Sequence, residues 1–198
     1  MKYSADKNDP YLDPDTGILR NLLGIRTQAE LDTAESSLSF LRTSQLYGHP
    51  VLGRFNLKHL QAIHKRLFAD LYEWAGQIRH VEITKGTTDF ARYLAIESGA
   101  RQLFRRLAAE HYLRGLGPEQ FAQRAGYYLG EINVLHPFRE GNGRAQREFI
   151  RELAQKAGYR IDWSRASQDS MVRASIDAYS GNPETMAKLI RSCMVGQS

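Results

Sequence analysis

The stretch HPFREGNGRAQR, residues 136–147, holds a histidine fixed by a proline, an acid, two glycines flanking an asparagine, and two arginines three residues apart. It lies between a helix ending in EINVLH and another expected to begin near Gly143. A loop feeding a helix N-terminus offers unpaired backbone N–H groups and a partial positive charge, which attract anions. Gly141 and Gly143 lack the Cβ atoms that would hold a phosphate away, and they permit the positive φ angles of an anion nest. Arg144 and Arg147 share a helix face and can fork onto phosphate oxygens. Two arginines plus backbone amides suit a di- or triphosphate better than a single phosphate. Glu140 is the only acid in this basic stretch; beside a polyphosphate a carboxylate commonly holds Mg2+, which needs only one or two protein oxygens. Asn142 can hydrogen-bond a phosphate without adding charge. His136 is the one group here that takes a proton near neutral pH. The chemistry these residues fit is a nucleotide polyphosphate, a metal, and a base aimed at an incoming nucleophile. Taken singly, each is an ordinary helix terminus, turn or solvated charge. The spacing carries the information.

The rest of the chain must position that loop. At 198 residues it is long enough to bury a core as one domain, with or without a short extension. A hydrophobic share of 42% beside 25% charged residues is that of a soluble globular protein. No apolar run approaches the roughly 20 residues of a membrane span, and MKYSADKNDPYLDPDTG has no apolar signal region, so the cytoplasm is the expected location. Cys193 is the only cysteine, which excludes an internal disulfide and a thiolate metal cluster. A formal net charge of +5 suits a polyanionic ligand, nucleic acid or nucleoside triphosphate, or simply a solvated basic surface. Basic residues are spread along the chain with no basic tail, which weakens the nucleic-acid reading.

The first 20 residues are polar and predict an irregular arm. Thr27 with Glu30 forms a capping box, followed by Leu31, Ala34, Leu38 and Leu41 at helical spacing up to Tyr47-Gly48-His49-Pro50. Asn56 can cap a second helix with Leu57, Leu60, Ile63, Leu67 and Leu71 on its inner face. Residues 77–91, QIRHVEITKGTTDFA, are rich in β-branched residues and read as a short hairpin or flap, the only convincing strand signal. Further helices carry Ile96, Ala100, Leu103 and Leu107, then Phe121, Ala125, Tyr128, Leu129 and Ile132. After the motif, Phe149, Ile150, Leu153, Ala154 and Ala157 form an apolar face ending at Gly158. A helix near 167–180 stops at Gly181, and Asn182-Pro183-Glu184 starts the last one. The fold class is mainly α with one hairpin.

HPFREGNGRAQR resembles the Fic-domain signature HPFx[D/E]GNGRxxR at every specified position, and DLYEWAGQIR, VEITKG and Phe90 resemble the Fic segment leading into the flap. Roughly residues 56–190 are covered. The resemblance implies a Fic core over 51–198 behind an N-terminal arm and helix over 1–50, the helical bundle carrying a β-hairpin flap. It implies transfer of AMP from ATP to a hydroxyl side chain of a target protein. His136 would be the general base and Glu140 the Mg2+ ligand. Gly141, Asn142, Gly143 and Arg144 would form the anion hole for the α- and β-phosphates, and Arg147 would hold the γ-phosphate. Phe138 would anchor the loop in the core. The flap at Ile83, Thr84 and Lys85 would register the target by strand addition. Doc-type kinases of this superfamily carry a lysine where Gly143 stands, and phosphocholine-transferring relatives an alanine at the first glycine, so the intact glycines favour AMP transfer.

Many Fic proteins carry an inhibitory helix [S/T]xxxE[G/N] whose glutamate pairs with the second motif arginine. Only Ser180 has a glutamate four residues on, Glu184, and Thr185 stands where Gly or Asn is expected. The resemblance therefore points to the toxin of a class I Fic toxin–antitoxin pair, restrained by a small helical antitoxin that places its glutamate on Arg147. Its target class would be the ATPase subunits of type II topoisomerases. The competing readings are a Fic-type phosphotransferase, a de-AMPylase, and a basic helical nucleic-acid-binding module, which Glu140 argues against. His59 and His64, five apart on an apolar helix, read as core residues rather than a metal pair. Trp74 and Trp163 read as packing residues, Tyr179 as packing or adenine lining, and Cys193 has nothing nearby to activate it.

Overall fold

The computed structural model describes residues 4–5 and 9–197. Thr27 opens the first helix, α1 (Gln28–Gly48), as its capping box predicts: its side chain accepts from the Glu30 N–H. Asn56 does the same for α2 (Leu57–Phe68) through the His59 N–H. Then come α3 (Ile96–Ala109), α4 (Pro118–Leu135) with its proline in the first turn, α5 (Asn142–Ala157), α6 (Gln168–Tyr179) and α7 (Glu184–Cys193). Gly158 ends α5 at φ 91°, the left-handed conformation that a glycine adopts without strain. None of these helices is long and apolar enough, over the described residues, to cross a membrane.

The predicted inner faces are mostly the buried ones. Leu60, Ile63 and Leu67 of α2, Ala100, Leu103 and Leu107 of α3, Phe121, Ala125 and Ile132 of α4, and Phe149, Ile150 and Leu153 of α5 meet in one core. Helix α4 packs on α3, α5, α6 and α7, while α2 packs on α5, so the loop between α4 and α5 emerges from the most enclosed part of the bundle. Helix α1 differs from expectation. Leu41 is 51% exposed, and the residues it buries are Leu31, Ser39 and Leu46. The face it turns inward is partly polar, which an apolar stripe does not reveal.

The flap is smaller than residues 77–91: strands β2 (Ile83–Lys85) and β3 (Thr88–Asp89) pair antiparallel across Gly86. A third strand, β1 (Ser4–Ala5), pairs antiparallel with the other edge of β2, with Ser4 opposite Thr84 and Ala5 opposite Ile83. A second sheet joins β4 (Tyr159–Ile161) to β5 (Met194–Gln197). These added strands are corrections to the single-hairpin reading; at two to four residues each they are too short to show alternation.

Of the arm expected over the first 20 residues, 1–3 and 6–8 lie outside the described residues. From Asp9 onward it is irregular but packed. Tyr11 and Ile18 are buried, Leu12 bridges to Leu19, and the Tyr11 hydroxyl accepts from the His80 N–H at 3.2 Å. Asp9 forms a buried ion pair with Arg139 at 2.7 Å, tying the arm to the motif loop.

Candidate functional site

His136 ends α4 in the left-handed region, at φ 43° and ψ 62°. A non-glycine residue there is strained, so surrounding contacts must hold it. Its Nδ1 lies 3.0 Å from the Asn133 carbonyl, its ring stacks on Phe90 at 3.7 Å, and its own carbonyl accepts from Arg79 Nε at 2.9 Å. A carbonyl only accepts, so Nδ1 carries the proton and Nε2 is the basic nitrogen. Burial is the main reason its pKa falls to about 3; the Asn133 contact opposes this, and the charges of Arg79 and Lys85 add to it. The ring is neutral at pH 7.

The backbone behind His136 is bolted by residues outside the motif. Arg79 is 1% exposed and donates to the carbonyls of His136, Val81 and Ala91, while its own N–H donates to Pro137 O at 2.9 Å. One side chain thus ties His136 to both ends of the flap. Phe138 is fully buried and stacks on His64 at 3.9 Å, the anchoring role expected of it. His64 accepts from the Gly76 N–H through Nδ1 and donates from Nε2 to the Glu140 carbonyl at 2.9 Å. His59 and His64 are core residues, as read, but His64 also shapes the loop.

Burial lowers the His64 pKa from 6.5 to about 3, helped by the Arg144 charge and opposed by its bond to the Glu140 carbonyl. Between those pH values the unfolded chain binds a proton that the folded protein rejects, so stability is lost as pH falls from 6.5 towards 3. His64→Gln keeps a donor for Glu140 and removes that proton. Its plot of unfolding free energy against pH should be shallower than wild type by about 1.4 kcal/mol per pH unit over this window, read from urea melts.

Gly141, at φ 77°, precedes α5, and a Cβ there would fall 2.4 Å from the Phe68 ring. Both the conformation and the close approach require glycine. Gly143 differs: it sits inside the first turn of α5 at an ordinary helical φ, and a Cβ would lie 3.4 Å from Arg147 Nη1. Its smallness leaves room beside that arginine, and the positive φ expected of it is absent. The Asn142 carboxamide is fully buried and spent on the loop itself, accepting from Phe138 N–H at 2.9 Å and donating to Phe138 O at 2.7 Å. What Asn142 offers an anion is its backbone N–H at the helix N-terminus.

The two arginines are placed unequally. Arg144 forms an ion pair with Glu35 of α1, donates to the Ser39 hydroxyl at 3.0 Å and lies 4.7 Å over the Phe68 ring. Arg147 has no acidic partner among the described residues; burial and the neighbouring Arg144 charge lower its pKa. Its carbonyl accepts from Trp163 Nε1 at 2.9 Å, which packs the helix start from behind. Glu140 accepts from the Gly141 N–H at 3.0 Å, and burial followed by the Glu35 charge raises its pKa. Glu140 is therefore not the only acid at the loop. Glu35 is an acid at this loop that sequence reasoning missed, and no motif position signals it.

On the flap, Ile83 is buried, Thr84 and Lys85 are half-buried, and the Lys85 charge reaches His136. Tyr179 donates to Asp89 O at 2.9 Å, bracing the hairpin against α6. Glu184 is exposed on α7 and pairs with Lys188 at 3.8 Å. Trp74 stacks on Tyr72 at 4.4 Å, and Cys193 is buried. The arrangement can accept a proton at one point and hold a polyanion at the next.

The family described as Fic/DOC matches residues 54–154. The "Probable protein adenylyltransferase Fic" of Escherichia coli K12 is 38% identical over 98% of this chain and 96% of its own length. Protein adenylyltransferase VbhT of Bartonella schoenbuchensis is 52% identical over 96% of this chain, which spans only 40% of that protein. Among solved structures, the N-terminal Fic domain of a VirB-translocated Bep effector of Bartonella quintana with bound ADP superposes with a TM-score of 0.88 at 31% identity, covering 95% of each chain. BepC of Bartonella tribocorum with bound AMPPNP gives 0.87 at 28% identity, covering 95% of this chain and 97% of that one.

Proposed function

The chain belongs to the Fic/DOC family, and from that premise we propose that it is a protein adenylyltransferase whose loop at 136–147 moves AMP from ATP to a hydroxyl side chain of another protein. The observation that carries this reading is Arg147. It is a half-buried arginine with no acidic partner among the described residues, one turn into a helix whose N-terminal amides are also unpaired within the helix. A polyanion is the partner such a site lacks, and relatives of this fold hold ADP and AMPPNP.

His136 Nε2 takes the proton of the target hydroxyl. The hydroxyl oxygen bonds to the α-phosphorus, the bond from that phosphorus to the bridging β-phosphate oxygen breaks, and pyrophosphate leaves with its electron pair. A free-enzyme pKa near 3 keeps the imidazole unprotonated and ready, and the incoming phosphates stabilise the imidazolium once formed. Gly141 and the amides of α5 bind phosphate oxygens, and Arg147 grips the end of the triphosphate. Glu140 fits a divalent cation: its carboxylate is desolvated beside a second one, Glu35, and a cation relieves both penalties. No group of three or more metal-binding side chains occurs among the described residues, so phosphates and water would complete the shell. When bound, Mg2+ would neutralise charge on the phosphates. The flap main chain at Ile83, Thr84 and Lys85 registers the target, whose segment takes the place of the Ser4–Ala5 strand that pairs antiparallel with that edge of β2.

The enzyme acts in the cytoplasm, where ATP and Mg2+ are present, and a separate small helical protein restrains it by setting a glutamate on Arg147. Type II topoisomerase ATPase subunits are the target class to try first. In bacterial lysate with Mg2+ and ATP labelled at the α- or γ-phosphate, protein bands should be labelled from the α position only. Labelling from γ only would make the chain a kinase and overturn the reading. Arg147→Ala should weaken ATP binding roughly thirtyfold by calorimetry, the value of about 2 kcal/mol for a charge-assisted hydrogen-bond pair.

A further inference from the structure

We propose that Glu35, on α1 and a hundred and nine residues from its partner in sequence, is the positioning residue that fixes the Arg144 guanidinium for the nucleotide. This rests on the nucleotide reading above. One Glu35 oxygen accepts from Arg144 Nη2, and the other accepts from the Tyr72 hydroxyl at 2.5 Å. One turn further along α1, Ser39 accepts from Arg144 Nη1 at 3.0 Å, and the Phe68 ring supports the guanidinium plane at 4.7 Å. Two helices and the Tyr72 loop therefore close on one side chain.

The side chains of Glu35 and Arg144 are only 14% and 26% exposed, so this is not the solvated surface pair whose contribution is near zero. Burial and the Glu35 charge push the Tyr72 hydroxyl far up, so it stays a donor and holds Glu35 in turn. Arginine has five donors in a planar fork, and Glu35 and Ser39 use two. Orienting the fork beforehand removes rotamer entropy that ligand binding would otherwise lose. The carboxylate also opposes binding, because it cancels part of the Arg144 charge and faces Glu140. Pose and charge act in opposite directions, and two variants separate them. Glu35→Ala removes the bridge. Glu35→Gln removes the charge but keeps an oxygen for Arg144.

The test is the Kd for ATP with Mg2+, by calorimetry, on wild type, Glu35→Ala, Glu35→Gln, Arg144→Ala and the double variant Glu35→Ala/Arg144→Ala, each checked for a cooperative thermal melt. Glu35→Ala should weaken binding about tenfold, and Glu35→Gln should recover it to within about threefold of wild type. In the Arg144→Ala background, Glu35→Ala should change Kd by less than about twofold, because it acts through the missing arginine. A purely structural role gives an equal effect in both backgrounds and overturns the proposal. So does an unchanged Kd in Glu35→Ala, or a Glu35→Gln as weak as Glu35→Ala. If wild type itself binds no ATP and transfers no α-label, the nucleotide reading falls and takes this one with it. A binding, transferring wild type with an unaffected Glu35→Ala sinks only the positioning role.

Discussion

His136→Ala keeps its affinity for ATP and loses transfer of AMP by about a thousandfold, the span a positioned general base contributes. In the proposed mechanism the imidazole faces the nucleophile, and its Nδ1 is held by the α4 carbonyl of Asn133. The parts that shape the loop, Arg79 on the His136 carbonyl and Asn142 on Phe138, act through backbone and survive the substitution. The Kd for ATP should stay within about twofold of wild type while α-label on target bands disappears. Alanine also sits at φ 43°, where it is strained. His136→Asn, a residue that tolerates that region, separates loss of the base from loss of the backbone pose. Both variants should be equally inactive. An active His136→Asn would remove His136 from its role as base.

Gly141→Ala is expected to cost the fold about 3 kcal/mol and abolish nucleotide binding. The left-handed φ of 77° carries a penalty of roughly 1–2 kcal/mol for a residue with a Cβ. The new methyl would also meet two Phe68 ring carbons at 2.4 and 2.5 Å, closer than any real contact. Phe68 has nowhere to go, since it is buried against His64, Tyr72 and the Arg144 guanidinium. Overpacking of this kind costs roughly 1–3 kcal/mol, and for a chain of this size the sum lowers the melting temperature by about 6–12 °C. Gly143→Ala is the contrast. Its backbone is helical and its Cβ meets only the far end of the Arg147 side chain at 3.4 Å, so the fold should hold within about 1 kcal/mol. A thermal melt of the two variants side by side decides the matter. Equal melting temperatures would show that the first glycine is not a special position.

The motif was legible because its groups are contiguous and its spacing is that of a turn entering a helix. Helices α2 to α5 were legible because their apolar residues recur on one face. What escaped reading is the polar wiring between distant segments. Arg79 looks like any surface arginine in QIRH, yet it is buried and serves three carbonyls. Asp9 sits in a polar arm and pairs with Arg139, at a motif position the signature leaves unspecified. In α1 the apolar stripe of Leu31, Ala34, Leu38 and Leu41 suggested an apolar inner face. Leu31, Ala34 and Leu38 do pack on the core, but beside them the helix also turns inward Glu35, Ser39 and Arg42, where Arg42 reaches Asp70 and Glu35 reaches Arg144. Periodicity detects faces that are uniformly apolar. A face that buries ion pairs has the same period and none of the hydropathy.

If targets register on β2 as proposed, the short pairing of Ser4–Ala5 with the flap sets how they are told apart. A segment joined to the same chain, with Asp9 anchored a few residues on, competes at a millimolar effective concentration, regardless of how dilute the protein is. Any extended peptide can offer main-chain hydrogen bonds to β2, so those bonds alone leave it no better than the strand already present. Only a protein that adds further contacts, or brings its hydroxyl to His136, prevails at cellular concentrations. The tethered strand turns an indiscriminate sheet edge into a threshold, and it shields that edge from pairing with other copies of the flap.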